Sequence, residues 1–205
     1  MIEAKQNRFF LAFFSWYSRL LMKWHFRTVR IEGELEELDA SFLVVSNHFS
    51  WWDGFFVLYL NHKRFGKNFY VMMLEEQLRK RMFLNRCGAF SVSTHPKELL
   101  RSVDHAASLL EDKGNLVLMF PQGQIETKYR YPFAFERGAE EILQRTRARV
   151  RVVFVASMIE YFSYPRPSLF LYLQQPDLGE RPSTDRIEAA YNAFFADCVA
   201  RQKET

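Results

Sequence analysis

One histidine and one aspartate in this 205-residue sequence have the types and the spacing of an acid–base pair. His48 and Asp53 stand five residues apart in the segment 46–53. An imidazole takes up a proton near neutral pH, and a carboxylate on its other nitrogen fixes the tautomer and stabilises the imidazolium. The two can meet if the loop turns into a helix that holds Asp53 in its first turn. The spacing predicts a general base with an orienting carboxylate; the alternative is a bonded loop histidine and an N-cap aspartate.

A second segment, residues 120–126, has a proline and a glycine directly after an apolar run. Pro121 and Gly123 favour a fixed turn in which backbone amides can approach a ligand, and the alternative is an ordinary turn. The pattern GxSxG is absent, so a nucleophile elbow is not expected. The histidines are scattered without HExxH or paired-ligand spacing, so we expect no metal.

Both segments follow predicted strands in a chain that alternates strand and helix patterns. This alternation predicts a single α/β domain with a largely parallel mixed sheet flanked by helices. Ligands gather at the carboxyl ends of such strands, where both segments begin. Strands are predicted at 28–31, 42–45, 69–72, 89–92, 116–120, 150–156 and 168–173. Helices are predicted at 8–26, 53–60, 96–111, 137–146 and 183–200, the third with Thr94 or His95 near its N-cap.

The composition fits one globular domain. Hydrophobic residues are 48% and charged residues 25% of the chain, which excludes a disordered, collagen-like or polytopic membrane protein. The two cysteines, outside any CxxC pair, favour a reducing compartment. The net charge is +4, but the basic residues form no stripe and no recognition motif, so no nucleic-acid partner is expected.

The N-terminal segment 1–26 is predicted to be an amphipathic aromatic helix preceding the domain at 27–205. Its apolar run is shorter than the roughly 20 residues that span a bilayer, and bulky Trp16 and Tyr17 stand where a signal peptide would be cleaved. Arg19 and Lys23 share one side of the helix. We expect either a membrane-interface helix or a helix docked on its own domain. The other side carries an apolar stripe formed by Phe9, Phe13, Trp16, Leu20 and Trp24.

The two segments together resemble the lysophospholipid acyltransferase family, which includes bacterial 1-acylglycerol-3-phosphate acyltransferases. The first family motif, NHxSxxD, which contains HxxxxD, is matched in full by Asn47, His48, Ser50 and Asp53. The third motif, FPEGTRS, is matched at Phe120, Pro121 and Gly123. Weaker similarities to other family motifs lie at 88–93, 135–139 and 153–156, so the resemblance extends over about residues 25 to 175.

The resemblance implies a role for each matched position. His48 would be the base and Asp53 would orient and polarise it, with direct transfer and no acyl-enzyme. The turn around Gly123 would position acceptor or donor. The residues implied in substrate binding are Asn47, Ser50, Phe120, Pro121, Gln122, Gly123 and Gln124.

Departures from the family pattern concern the acceptor. Family members that act on glycerol phosphates have an arginine at the end of the second motif and another in the third, where this sequence has Ser93 and Ile125. The third-motif Glu and Thr are replaced by Gln122 and Gln124. The loss of two guanidinium groups argues against a phosphomonoester acceptor. Cations that could replace them are Arg86, Lys97, Lys128, Arg130 and Arg137.

The function that the resemblance implies is O-acyl transfer from acyl carrier protein or a coenzyme A thioester to a hydroxyl of a membrane lipid, with no cofactor. The acceptor is expected not to be a phosphomonoester. Formation of phosphatidic acid and a non-catalytic lipid-binding homologue are the alternatives. The expected location is the cytoplasmic side of the inner or plasma membrane, with peripheral or monotopic attachment.

Overall fold

The computed structural model describes residues 1–93 and 95–204. Within them the chain forms one seven-stranded sheet with the order β1-β7-β6-β2-β5-β3-β4. The strands are β1 (Val29–Glu32), β2 (Ser41–Ser46), β3 (Asn68–Leu74), β4 (Ala89–Val92), β5 (Asn115–Met119), β6 (Val150–Glu160) and β7 (Ser168–Gln174). Every predicted strand is present, and the prediction of an α/β domain is confirmed.

The sheet is parallel from β6 to β4, and its direction reverses at one place. β7 runs antiparallel to β6, and β1 runs parallel to β7. Strand β6 extends past the predicted end at residue 156 because its last residues pair with β7, up to the pair Glu160 and Ser168. Neighbouring β2 and β5 are in register at Val45 and Met119, so the loops after them leave the same edge of the sheet.

Helices cover both faces of the sheet. They are α1 (Arg8–His25), α2 (Asp53–Leu60), α3 (Glu75–Lys80), α4 (Pro96–Leu110), α5 (Gly138–Arg145) and α6 (Thr184–Arg201). Helix α2 continues into a π-helical turn, Asn61–Phe65, and a 3₁₀ helix, Met82–Cys87, precedes β4. The short α3 and the 3₁₀ helix were not predicted, because six residues give too little periodicity to detect. His95 takes the N-cap position of α4, and Thr94 lies outside the described residues.

The core has two layers because side chains alternate across the sheet. On β2, Leu43 and Val45 join a cluster with residues of α4, α5 and α6, whereas Phe42 and Val44 join a cluster with residues of α1 and α2. Both faces of β2 are therefore fully buried, as expected for the centre of a parallel sheet. The site at the end of β2 thus stands on a rigid strand.

Helix α1 packs on the domain with one side and leaves the other uncovered. Ser18, Leu21 and Met22 are buried. The stripe predicted from the sequence lies on the opposite side, with its members between 43% and 86% exposed. In the part of the chain that is described, no helix is long and apolar enough to cross a membrane. The residues of this exposed apolar stripe are Phe9, Phe13, Trp16, Leu20 and Trp24.

Candidate active site

His48 and Asp53 meet at the carboxyl end of β2. The Nδ1 atom of His48 lies 2.8 Å from Oδ2 of Asp53. A carboxylate oxygen accepts only, so this contact places the ring proton on Nδ1 and leaves the lone pair on Nε2. Within the described residues Nε2 has no hydrogen-bond partner. The His48 side chain is 19% exposed, whereas that of Asp53 is fully buried.

The short loop before α2 holds the buried Asp53 carboxylate. Its Oδ2 also accepts hydrogen bonds from the backbone N–H groups of Phe49, at 2.7 Å, and Ser50, at 2.8 Å. Burial raises the pKa of Asp53, and the hydrogen bonds from His48, Ser50 and Phe49 oppose that rise. The other oxygen, Oδ1, is buried without a partner among the described residues. The carboxylate therefore has all its contacts on the side that faces His48 and the loop.

The segment 120–126 packs against His48 from two sides. The Phe120 ring stacks on the imidazole with a centroid distance of 4.1 Å and an angle of 14°. The backbone N–H of His48 donates to Oε1 of Gln122 at 2.6 Å, and the backbone N–H of Glu126 donates to the backbone carbonyl of His48 at 2.9 Å. These contacts fix both the ring and the backbone of His48.

The turn itself depends on Gly123. Its φ is +69°, and its N–H donates to the Phe120 carbonyl at 3.2 Å. A side chain at this φ would strain the backbone. The Pro121 carbonyl accepts from the Glu136 N–H at 2.8 Å, which joins the turn to the segment before α5. The backbone of Gly123 and the side chain of Gln124 are exposed at the rim of the site.

Asn47 lies behind His48 and ties β2 to β6. Its Nδ2 donates to the Ser157 carbonyl at 3.0 Å and its Oδ1 accepts from the Ser157 N–H at 2.9 Å. The Asn47 N–H donates to the Tyr191 hydroxyl at 2.7 Å, and that hydroxyl donates to the Val155 carbonyl at 2.8 Å. Asn47 is 3% exposed, so the structure places it in support of the loop and not on its open surface.

Ser50, the remaining member of the first segment, lies at the turn into α2. Its hydroxyl accepts from the Trp52 N–H at 3.2 Å, and its own N–H donates to Asp53. Sequence reasoning missed Tyr191 and Glu126. The first is 144 residues from Asn47, so no local pattern could find it. The second follows the proline–glycine turn directly, and its carboxylate was a signal that could have been used.

Two of the cations suggested as replacements for the family arginines lie close to the 120–126 turn in sequence. Arg130 pairs with Glu126 at 2.8 Å, and Lys128 donates to the Ile159 carbonyl at 3.1 Å. Arg137 lies near Glu140 and Glu141.

The remaining suggested cations, Arg86 and Lys97, lie outside the segment 120–126. Arg86 lies over the Phe10 ring, and Lys97 is exposed on α4. Ser93 is half-buried after β4, and Ile125 is 51% exposed. In the described part of the chain, no three His, Cys, Asp or Glu side chains are grouped as metal ligands would be.

Comparisons with known proteins bear on the fold and the family of the chain. A search of curated proteins finds no match. Among solved structures, the chain is similar to the crystal structure of the 1-acyl-sn-glycerophosphate (LPA) acyltransferase PlsC from Thermotoga maritima, with a TM-score of 0.63 and 18% identity. That match covers 95% of this chain and 81% of the other, and it shows a shared fold. The sequence model of the family described as Acyltransferase matches residues 25–158, which include both segments of the site. The chain therefore belongs to the acyltransferase family.

Proposed function

We propose that this protein is an O-acyltransferase that moves a fatty acyl group from a thioester donor to a hydroxyl of a lipid acceptor. The observation that carries the proposal is the His48–Asp53 pair, in which Nε2 of His48 has no hydrogen-bond partner among the described residues and the His48 side chain is 19% exposed. Family membership supports the reaction class. The donor, acyl carrier protein or coenzyme A, is proposed from the family resemblance.

The chemistry follows from the two side chains. Nε2 of His48 takes the proton of the acceptor hydroxyl as its oxygen attacks the thioester carbonyl. Asp53 holds Nδ1–H and stabilises the imidazolium while the tetrahedral oxyanion exists. When the carbon–sulfur bond breaks, the imidazolium returns its proton to the leaving thiolate. No acyl-enzyme, metal or cofactor enters this proposal.

The substrate-binding residues divide into two groups. Gly123 and Gln124 lie at the exposed rim, and we assign them to contact with the substrates. Phe120 keeps the plane of His48 and offers apolar surface to an acyl chain. The four that remain act through the loops that they hold, because their polar atoms contact the backbone or are enclosed: Asn47, Ser50, Pro121 and Gln122.

The proposed acceptor is a lipid without a phosphomonoester. Of the cations closest in sequence to the turn, Arg130 is already paired with Glu126. One observation favours the second candidate, formation of phosphatidic acid, because Lys128 has only a carbonyl and the Tyr129 ring as contacts among the described residues. Its ammonium could therefore turn toward an anionic group.

The proposed location is a membrane surface, reached through α1. Phe14 and Tyr17 of α1 contact Phe55, at centroid distances of 6.2 and 6.4 Å, and Phe55 contacts Trp51 at 5.3 Å. Aromatic contacts thus connect the helix that carries the exposed stripe to the loop that carries His48. A lipid acceptor held in a bilayer would be reached most directly from that side.

The first prediction is that His48→Ala removes nearly all acyl transfer and leaves the fold intact. The change deletes the base, and the side chain is in a loop at the edge of the core. We would measure turnover with a panel of thioesters and monoacyl lipids, and thermal unfolding for the fold. The control is His95→Ala, since His95 is exposed and makes no side-chain cap. Turnover of His48→Ala within a factor of two of wild type would exclude the assignment. Lipid binding by wild type without any transfer would favour the non-catalytic homologue.

The second prediction is that lysophosphatidic acid is a poor acceptor. Each charged hydrogen bond contributes about 1.5–3 kcal/mol, so two missing guanidinium contacts imply a loss of roughly 10²–10⁴ in kcat/KM. The assay compares lysophosphatidic acid with uncharged and zwitterionic monoacyl lipids and the same donor. Preferential acylation of lysophosphatidic acid would replace our acceptor with the second candidate, and Lys128→Met would then be expected to reduce it.

A further inference from the structure

Glu126 is the part of the site that neither the sequence patterns nor the proposed chemistry uses. Its side chain is 10% exposed, and its two oxygens face different partners. Oε2 accepts from Nε2 of Gln122 at 2.7 Å, and Oε1 lies 2.8 Å from Arg130 and accepts from Nε2 of Gln124 at 3.4 Å. Its backbone N–H donates to the His48 carbonyl. Glu126 thus contacts the backbone of His48 in two ways, directly through its own N–H and indirectly through Gln122.

The orientation of the Gln122 amide decides whether the backbone N–H of His48 has an acceptor. A glutamine amide accepts on one side and donates on the other. A carboxylate can only accept, so Glu126 can face only the NH₂ side of Gln122. The carbonyl side must then face the His48 N–H, which donates to it at 2.6 Å. With the amide reversed, two donors would face each other in a poorly solvated site.

We propose that Glu126 is a positioning residue, whose carboxylate fixes the Gln122 amide and through it the backbone of His48. This inference rests on the proposed function for its effect on rate, whereas its structural content does not. The pair is a carboxylate and an amide four residues apart, and exchanging the two groups preserves every hydrogen bond. In the double variant Gln122→Glu with Glu126→Gln, the carboxylate introduced at position 122 would accept from the His48 N–H and from the amide introduced at position 126. The carbonyl of that amide would accept from Arg130.

The single variants should differ in a defined order. Glu126→Ala removes the orienting acceptor and should lower turnover roughly 10–100-fold, as expected for a group that orients a catalytic residue. Glu126→Gln keeps a carbonyl that can face Gln122, so its loss should be below about 10-fold. Gln122→Glu places two carboxylates in contact and should lose about 100-fold near neutral pH, with partial recovery as pH falls and the pair takes up a shared proton.

A matched control exists on α5. Gln144 donates to Glu140 at 2.9 Å with the same spacing, and among the described residues neither side chain bonds to His48 or to the segment 120–126. Gln144→Glu creates the same like-charge contact between an exposed position and Glu140, whose side chain is 13% exposed, outside the site. Its turnover and pH profile should equal those of wild type.

The decisive readouts are turnover against pH and the backbone amide resonance of His48 in a ¹⁵N spectrum. The double variant should return to within about 5-fold of wild-type turnover and should restore the hydrogen-bonded His48 resonance, a non-additive outcome for residues in contact. A double variant as impaired as Gln122→Glu in both readouts would overturn the proposal. So would Glu126→Ala with wild-type turnover and an unchanged His48 resonance.

The two proposals can fail separately. If wild type transfers no acyl group, the proposed function fails and the His48 resonance alone still decides the positioning role. If wild type transfers and the double variant recovers neither readout, only the positioning role fails. If Gln122→Glu does not fold, Glu126→Ala decides the matter with the same two readouts.

Discussion

Asp53 is an ionisable side chain whose burial works against folding and whose charge serves the reaction that we propose. Burial raises the pKa of Asp53 above its usual value. A carboxyl group with a raised folded-state pKa favours folding below the unfolded pKa, and that contribution is lost as pH rises through the folded-state value. Near neutral pH the ionised Asp53 is therefore a cost to stability that His48 and two backbone N–H groups partly offset.

Asp53→Asn should separate these two effects. The amide oxygen should take the place of Oδ2 and accept from the backbone N–H groups of Phe49 and Ser50 and from Nδ1–H of His48, because an NH₂ group there would face those donors; the negative charge beside the imidazole is lost. Turnover should fall roughly 10²–10⁴-fold because the imidazolium that forms on His48 loses its stabilising carboxylate. The stability of the variant relative to wild type should increase as pH rises from about 4 through the folded-state pKa of Asp53 and then stay constant. Urea unfolding of both proteins across this range measures it, and a relative stability that falls with pH would contradict the assignment.

At this scale the sequence predicts local partners and fails on distant ones. His48 and Asp53 could be paired from their spacing because the turn into α2 brings residues five apart into contact. The roles of Asn47 and Gln122 could not be derived, since their polar atoms contact Ser157 and the peptide of His48, which only the sheet places beside them. A motif match gives the residue type and leaves open whether the side chain faces substrate or a neighbouring strand.

At the scale of elements, helix α1 has one side buried against the core and an opposite side that no described residue covers. The two alternatives left open by the sequence, docking on the domain and lying at an interface, are compatible because they use opposite sides of the helix. Leu21 and Met22 make removal of residues 1–26 a poor test, since it would also expose the core. Substitutions confined to the stripe avoid this problem.

Phe13→Ser with Trp16→Ser should weaken binding to anionic liposomes at least 10-fold while leaving thermal unfolding unchanged, because both side chains are about half exposed and bury apolar area only on binding. Anionic liposomes should bind wild type better than neutral ones at low salt, since Arg19 and Lys23 are exposed on the same helix. Sedimentation with liposomes measures both effects. Leu38→Ser is the control, because Leu38 is 52% exposed in the loop before β2, away from the site. Equal sedimentation of stripe variant and wild type would show that α1 does not bind lipid.

Across the whole molecule, the last helix supports the loop that holds His48. The fully buried Tyr191 of α6 joins the Asn47 N–H to the Val155 carbonyl, and burial raises the pKa of its hydroxyl well above the usual value. The hydroxyl therefore stays protonated at physiological pH. The sequence predicted α6 from its periodicity, but a buried tyrosine on a periodic face is indistinguishable there from an ordinary core residue.

Tyr191→Phe should destabilise the fold by about 1–3 kcal/mol, since it leaves a buried N–H and a buried carbonyl without that partner. Turnover should fall as well, because Asn47 directly precedes His48. Urea unfolding and acyl transfer measure the two effects, with Tyr161→Phe as the control because Tyr161 is 53% exposed. Full stability and turnover in Tyr191→Phe would show that α6 only covers the sheet.

The order of the strands could be predicted less well than their positions. Hydrophobic runs located all seven strands, because each contains apolar or β-branched residues in a short stretch of chain. The reversal at β7 and the course of residues 1–7 could not be predicted. Ile2 exchanges backbone and side-chain hydrogen bonds with Ser91 at the β4 edge, and a single polar contact of this kind leaves no periodic signal.

The two cysteines are free and buried, Cys87 in the 3₁₀ helix before β4 and Cys198 in α6. Burial raises the pKa of each thiol to about 12. A thiolate is the form that reacts with alkylating reagents. With a pKa of about 12, only about one thiol in 10⁵ is ionised at neutral pH, and in the folded protein it is buried away from the reagent. Alkylation then requires the surrounding segment to open, so the alkylation rate reports how often that segment opens. In Cys87→Ala the alkylation rate of Cys198 reports the opening of α6. In Cys198→Ala the alkylation rate of Cys87 reports the opening of the segment beside α1. Bound liposomes should slow the alkylation of Cys87 more than the alkylation of Cys198.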